Sequence, residues 1–386
     1  MEKSKDFQFA EFRSKMVDAL KSDNPENVAK VFEDLVKGVE KTIIADIQAV
    51  KGSNDAAILA SRGVRILTEK EEEFYKAFQK AYSLGDIEKA FEGIENSYPE
   101  ETIESVAEGI RDAFPLLSVI DFQATKTITK MILNAKGVQL AQWGGFGSAI
   151  SKELEGAFKV IDVSAKKLAA LMPVSMDIVQ AGPVWIDRYV RQCLVEAVGQ
   201  AFCYAVYKGT GKNEPIGMMR DCSSSAAVVD GVYPAKTKVK ISTLDAETLG
   251  DLYARVCKDD NGRARPVNDA IIVCNPIDYY RYIFPAITVR NADGEYVTRT
   301  ALPVTFIQEA SVDEKEGVFG IGKEFFMGAV FGGETGAIGF SDEAKYAEDM
   351  RLYKTKILAD GRPKNNSSFV ALDLTGFIKT QSTDQE

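Results

Sequence analysis

The run Gly209-Thr210-Gly211-Lys212-Asn213 is the part of this 386-residue chain whose spacing most suggests ligand chemistry, because a glycine followed by Gly-Lys can wrap a phosphate. A full phosphate loop also needs a glycine five residues before Gly211 and a hydroxyl after the lysine, and Val206 and Asn213 stand there. The run follows a helical pattern, not a strand, so it reads as a helix-terminating turn. Gly145-Phe146-Gly147 lacks the third glycine of a dinucleotide fingerprint, since Ile150 occupies that place. Asp259-Asp260-Asn261-Gly262 has the look of a calcium loop, but alignment on Gly262 puts Cys257 first and Asn268 last, where carboxylates belong. A solvated turn explains it better. The five cysteines (Cys193, Cys203, Cys222, Cys257, Cys274) are odd in number, at least ten residues apart and without a Cys-x-x-Cys pair. They read as reduced thiols, with neither a disulfide framework nor a zinc site.

The chain has no histidine. Imidazole titrates near neutral pH and is the commonest general base and metal ligand, so Ser-His-Asp, Cys-His and His-metal mechanisms are excluded. An enzyme would have to use carboxylates, Lys, Tyr, Ser-Lys or a bare thiol, and no constellation of acid, base and nucleophile emerges. No cofactor or metal site is expected. The formal net charge of −10 argues against strong binding to a phosphate backbone. That charge is uneven: residues 1–105 hold 15 Lys and Arg against 22 Asp and Glu, and the remainder holds 32 against 35. No apolar run approaches the roughly 18 residues of a membrane span, and Met1 to Asp6 is not followed by an apolar signal core. The expected setting is a cytoplasm, away from membranes.

The elements that would position these residues are mixed. Asn24-Pro25 has the form of an N-cap and first helical proline, and Val28, Val31, Phe32, Leu35, Val36, Val39, Ile43, Ile47 and Val50 follow at helical steps. Thr68 and Glu71 spell a capping box for a second helix carrying Phe74, Tyr75, Phe78 and Tyr82, and Glu69 to Glu73 is its polar, dipole-favoured start. A third, short helix is expected after Pro99. From about Thr127 the period changes to two, and Thr127–Leu133 and Phe158–Leu168 read as a long two-stranded excursion with an aromatic-bearing glycine-rich tip at Gln142–Ser148. Gly182-Pro183-Val184-Trp185 opens a helix of roughly 25 residues, about 37 Å long, ended by Gly209. Further on, Thr243–Val256 reads as helix, Ala270–Cys274 as a buried strand running into an Asn275-Pro276 helix start, and Asp293-Gly294 as a hairpin turn. Strands are expected at Leu302–Gln308, Val318–Ile321, Met350–Leu358 and Ser368–Leu374. With no regular βα alternation the class is α+β. Trp143, Phe146 and Trp185 are aromatics that could pack against another chain.

Around the long helix the sequence resembles a known family. Leu171-Met172-Pro173-Val174-Ser175, Gly182-Pro183-Val184-Trp185-Ile186-Asp187, Glu196-Ala197-Val198 and Lys208-Gly209-Thr210-Gly211-Lys212-Asn213-Glu214-Pro215-Ile216-Gly217 are similar to the HK97-type major capsid proteins of tailed bacteriophages. Tyr98-Pro99-Glu100, Phe114–Ile120 and Ala141–Gly144 resemble versions from phages of Gram-positive hosts, and Asp360–Pro363 to Phe369–Leu372 resembles the family's final strands, so the likeness covers about residues 95–375 in order.

The resemblance implies an HK97-like fold: a helical scaffolding-like (delta) segment at 1–105, an extended N-arm at 106–126, an E-loop at 127–170 reaching over a neighbour, a P domain at 171–240 with a spine helix at 183–208, an A domain at 241–345, a P-domain return at 346–376 and a tail at 377–386. It implies a non-enzymatic shell subunit forming hexamers and pentamers around double-stranded DNA, which it touches weakly and non-specifically. It also implies location in the virion after assembly in a bacterial cytoplasm, with portal, phage protease and decoration proteins as further partners. Some relatives lose the first segment to the protease. Trp143, Phe146, Lys152 and Trp185 become candidates for contacts between subunits. Lys152 lies in the E-loop, but Met350–Leu358 contains no Asn to match the family's occasional Lys–Asn cross-link. Two alternatives stay open on the residues: an encapsulin-like compartment, and a cytosolic enzyme built on carboxylates or lysine.

Overall fold

The structure is a computed structural model that describes residues 2–21, 25–50, 67–84, 100–125, 131–134, 158–161, 166–175, 182–291, 293–331, 339–341 and 350–377. Three helices come first: α1 (Glu2–Lys21), α2 (Pro25–Val50) and α3 (Glu69–Leu84). Helix α2 starts at the proline expected of it. The capping box ahead of α3 forms in both directions: the Thr68 N–H donates to Glu71 Oε2 at 3.0 Å and the Glu71 N–H donates to Thr68 Oγ1 at 3.3 Å. Two helix-start donors that would otherwise lack partners are satisfied in this way.

Helices α4 (Glu100–Ala113) and α5 (Pro115–Val119) follow, and then β1 (Asp121–Thr125). The expectation of an extended arm over 106–126 is corrected here, because the chain stays helical to Val119. The reason is packing against the long helix α6 (Pro183–Lys208). Phe114, 2% exposed, fills a notch in α6 that exists because residue 199 is glycine, where a Cβ would stand 2.2 Å from the Phe114 ring. On the other side of the contact, a Cβ on Gly109 would come within 3.0 Å of Val195. Two glycines thus let α4 and α5 approach α6 more closely than any side chain would allow.

Sheets make up the rest. β11 (Phe325–Phe331) pairs in parallel with β1 and antiparallel with β13 (Met350–Pro363), which also carries β12 (Gly339–Ser341) and β4 (Lys166–Ser175). A second sheet has the order β5 (Val239–Lys240), β14 (Phe369–Asp373), β10 (Glu316–Ile321), β6 (Ala270–Cys274), β9 (Val304–Gln308). β2 (Met131–Asn134) and β3 (Phe158–Ile161) form an antiparallel pair of their own, matching the expected two-stranded excursion; its tip lies outside the described residues. The hairpin around Gly294 joins β7 (Thr288–Arg290) to β8 (Tyr296–Thr298).

The second sheet is the wall between two cores. Ile271, Val273, Val318, Phe369 and Ala371 face one that includes α6, the N-terminal helices and the first sheet. Ala270, Ile272, Cys274, Phe319 and Leu372 face the other, against α7 (Ala246–Val256) and Ile283. Period-two alternation with both faces apolar explains why β6 reads in sequence as an unbroken apolar run. Aside from the extended arm, the α+β class is as expected. Helices α1 to α3 are not a body apart, however, since Phe12, Met16, Val36, Ile43 and Phe74 share the first core with α6.

At the end of α6 the Gly209 N–H donates to Ala205 O at 3.0 Å, Thr210 and Ile216 bridge, and Gly211 (φ 91°) and Asn213 (φ 59°) turn the chain. The last glycine of the motif, Gly217, sits flat on this turn: a Cβ there would lie 2.6 Å from Gly209 N and 2.8 Å from both Lys208 N and Tyr207 O. These are backbone atoms with little room to yield. Gly217→Ala is therefore expected to cost about 1–3 kcal/mol of stability by overpacking, measured as a lowered urea midpoint; an unchanged midpoint would contradict the packing account.

Candidate functional site

Reactive groups can be judged one at a time. Burial pushes the Cys193 and Cys274 thiols up to about 12 and raises Cys203 and Cys222 above the ordinary thiol value. These four are protonated at neutral pH; at Cys222 burial outweighs the opposing pull of Arg362 and Lys236, so no thiol of the four is activated as a nucleophile. Among the described residues no three Asp, Glu or Cys side chains are grouped to hold a metal ion.

One lysine stands apart. Burial pushes the Lys236 ammonium down to about 8, against the opposing pull of Cys222, Asp221 and Asp260. It borders an open hollow of ≈330 Å³ that Asp221, Arg255 and Ser367 also line. Its Nζ donates to the Asn366 and Phe369 carbonyls, the latter at 2.8 Å. Those bonds clip the loop before β14 to the segment before β5, a structural task. Beside it Asp260, in the stretch resembling a calcium loop, accepts from the Asn366 and Ser367 N–H groups at 2.7 and 2.9 Å, while Asp259 Oδ1 accepts from Asn261 N and Arg263 N. The turn reading holds, and its carboxylates serve backbone donors. The Gly209–Asn213 run is likewise a turn, in which Glu214 Oε1 accepts from Thr210 N and Oγ1 at 2.8 and 2.7 Å.

Of the residues expected at contacts with another chain, Trp143, Phe146 and Lys152 lie outside the described residues. Trp185 is described and is corrected: it is 7% exposed, packed in the first core, with the Arg188 guanidinium 5.7 Å from its ring centre. A ring enclosed by its own subunit has no face left for a neighbour.

Among the described residues, exposed apolar side chains lie elsewhere. Eight large hydrophobic side chains stand exposed among the described residues, and six of them (Ile277, Tyr280, Phe284, Val289, Tyr296, Val297) fall between 277 and 297. Tyr280 is 63% exposed and Tyr296 77%. The Asn275 side chain caps the start of this region by accepting from Ile277 N at 2.9 Å, and a π-helical turn, Tyr279–Ile283, then leads into α9 (Phe284–Ile287), the short helix after α8 (Pro276–Asp278). Tyr280 is braced edge-on by Tyr279 at 5.1 Å, and Tyr279 meets Phe306 on β9 at 5.9 Å. The Arg290 guanidinium lies 6.0 Å from the Tyr296 ring centre. The remaining two, Val228 and Val229, lead into a tight turn with positive φ at Asp230 and Gly231. Rigid exposed aromatics on a well-bonded base are characteristic of interaction surfaces. Their sequence signal was weak, because Tyr280 and Phe284 also match a helix that buries its aromatic face.

A family model described as "Phage capsid family" matches residues 96–374. No curated protein matches the chain. Solved structures similar to it include the capsid of a native GTA particle (14% identity, 67% of this chain and 89% of that one, TM-score 0.41) and the satellite phage P4 procapsid with its size-determination protein (9% identity, 70% and 98%, TM-score 0.44). A third is from Gordonia phage Cozz (12% identity, 67% and 85%, TM-score 0.40).

Lys236 yields a pH-dependent test. Below pH 8 the folded and unfolded chains both carry the charge, and the folded one bears the cost of burying it. Between about 8 and the roughly 10.4 of an unfolded lysine the folded chain releases its proton first, so stability rises with pH in that window. Relative to Lys236→Met, the natural protein should gain unfolding free energy between pH 8 and 10, measured by urea titration at each pH. A constant difference across the window would contradict the burial argument.

Proposed function

Since the chain belongs to the phage capsid family, whose model spans residues 96–374, we propose that it assembles into hexamers and pentamers of an icosahedral shell enclosing double-stranded DNA. It is a phage shell protein, structural and not catalytic, and its place is the virion capsid. The family match is the observation that carries this reading. Among the described residues no helix is long and apolar enough to cross a membrane.

Two physical features support the self-assembly reading. Among the described residues the β2–β3 ribbon has no third strand, and two strands alone are marginally stable in water, so a neighbour that covers it supplies burial. The exposed aromatics at 277–297 offer a second contact, within the stretch 241–345 assigned to the A domain around the capsomer centre. The reading assigns 127–170 to an E-loop, with Trp143, Phe146 and Lys152 in contact with the next subunit, 171–240 and 346–376 to the P domain, α6 to its spine, and 377–386 to a tail. Assembly takes place in the bacterial cytoplasm, with portal, protease and decoration proteins as partners. DNA contacts are weak, because the chain carries a net charge of −10.

Negative-stain microscopy of the chain, expressed alone and with a phage portal and protease, should show closed particles, and a small oligomer under every condition would contradict the proposal. Particles should fall apart to single subunits on boiling in SDS; a covalent ladder would contradict the absence of a cross-link. Tyr280→Asp with Tyr296→Asp should change the unfolding free energy from urea titration by no more than about 0.5 kcal/mol, as expected for exposed positions, while suppressing particle formation in sedimentation. Normal particles would remove this surface from the account.

A further inference from the structure

The helices α1 to α3 precede the stretch matched by the family model, which begins at residue 96, yet each of them packs on α6. Helix α6 meets them with charge as well as apolar surface. On α1, Arg13 donates from Nε and Nη2 to the two carboxylate oxygens of Glu196 at 3.0 and 2.9 Å, and Glu196 is 5% exposed. The same guanidinium lies 4.3 Å from the centre of the Phe114 ring that fills the Gly199 notch. On α3, Glu71 is fully buried and accepts from Arg191 Nη2 at 2.9 Å, while Arg191 also holds Asp187 one turn back on α6. At the last turn of α1, Lys21 shares the Asp313 carboxylate with Lys208, the last residue of α6. Between these ion pairs run Phe12 and Met16 of α1, Val36, Val39 and Ile43 of α2, and Phe74 of α3, in one core with Tyr189, Val190 and Leu194.

We propose that α1, α2 and α3 are a docked cover on α6 whose hold does not depend on the peptide link. A break of the chain between Leu84 and Glu100 leaves them bound, and their release is a separate step controlled by the buried ion pairs. The physical reason is the cost of uncovering. Among the described residues, withdrawing α1 removes the cation bonded to Glu196 and withdrawing α3 removes a carboxylate holding Arg191, with both Glu196 and Glu71 buried. Breaking one side of a buried pair is far costlier than losing a surface pair. Apolar burial along the three helices adds to this hold. The inference rests on the single subunit and stands whether or not the shell reading does.

The test inserts a recognition sequence for a site-specific protease between Leu84 and Glu100 of the full chain. After cutting, the two fragments should co-elute in size-exclusion chromatography and separate only in denaturant; fragments that part on cutting in native buffer would overturn the proposal. Glu196→Gln in the cut chain should weaken retention by about a hundredfold, and the charge exchange Arg13→Glu with Glu196→Arg should recover part of it. Lys37→Gln, which loses only an exposed pair with Glu33, should change nothing, and an equal effect of Lys37→Gln and Glu196→Gln would overturn the role given to the buried pairs. Should the inserted chain fail to fold, hydrogen exchange on the unaltered chain decides. Amides of α1 and α3 should be protected and should lose protection together in Glu196→Gln, whereas free-chain exchange rates in the unaltered protein would overturn the proposal.

Discussion

The structure is organised by the need to enclose α6 on every side. A helix that carries Trp185, Tyr189, Phe202 and Tyr207 together with Asp187, Glu196 and Gln200, all of them buried, has no face suited to water. Each side therefore has its own solution. Toward α4 and α5 the fit is steric, made by Gly109 and Gly199. Toward α1 and α3 it is electrostatic, made by Arg13 and Glu71. Glu196 is held by Arg13 and Arg191 by Glu71, partners that come from far along the chain, so the helix cannot be completed by its neighbours in sequence alone.

From this enclosure follows the division of the subunit's surfaces. The second sheet seals the first core with Val273 and Val318 and builds another with Ile272 and Phe319, so the region beyond it is attached through a shared sheet and not by a hinge. Beyond it, around Tyr280 and Tyr296, lie six of the eight large apolar side chains exposed among the described residues. A subunit in which α6 presents no exposed residue offers its neighbours other parts. Many modest contacts of that kind, repeated by symmetry, suffice to close a shell.

Much of this was legible in the sequence because it rests on local chemistry. Pro25, the Thr68–Glu71 box, Pro183 and Gly209 mark helix ends through capping and proline geometry, and each marks the boundary the structure has. The strand at Ala270–Cys274 and the Asn275 cap were legible for the same reason. What was not legible depends on distant partners. Phe114, between α4 and α5, lies in a segment that resembles an extended arm, and Gly199, eighty-five residues later, makes the notch that its ring fills. Trp185 looked like an aromatic held out to a neighbour, and it is buried because α6 is covered from several directions at once. The parallel pairing of β1 with β11 joins residues about two hundred positions apart, which no local pattern encodes.

The central claim is that enclosure of α6 within the subunit sends contacts between subunits to the 277–297 surface. A density map of the assembled particle at side-chain detail tests it most directly. The account predicts that Tyr280 and Tyr296 are covered by a neighbouring subunit while Trp185 and Tyr189 stay within their own core. A map in which a neighbour packs directly on α6 and leaves Tyr280 and Tyr296 in solvent would contradict it.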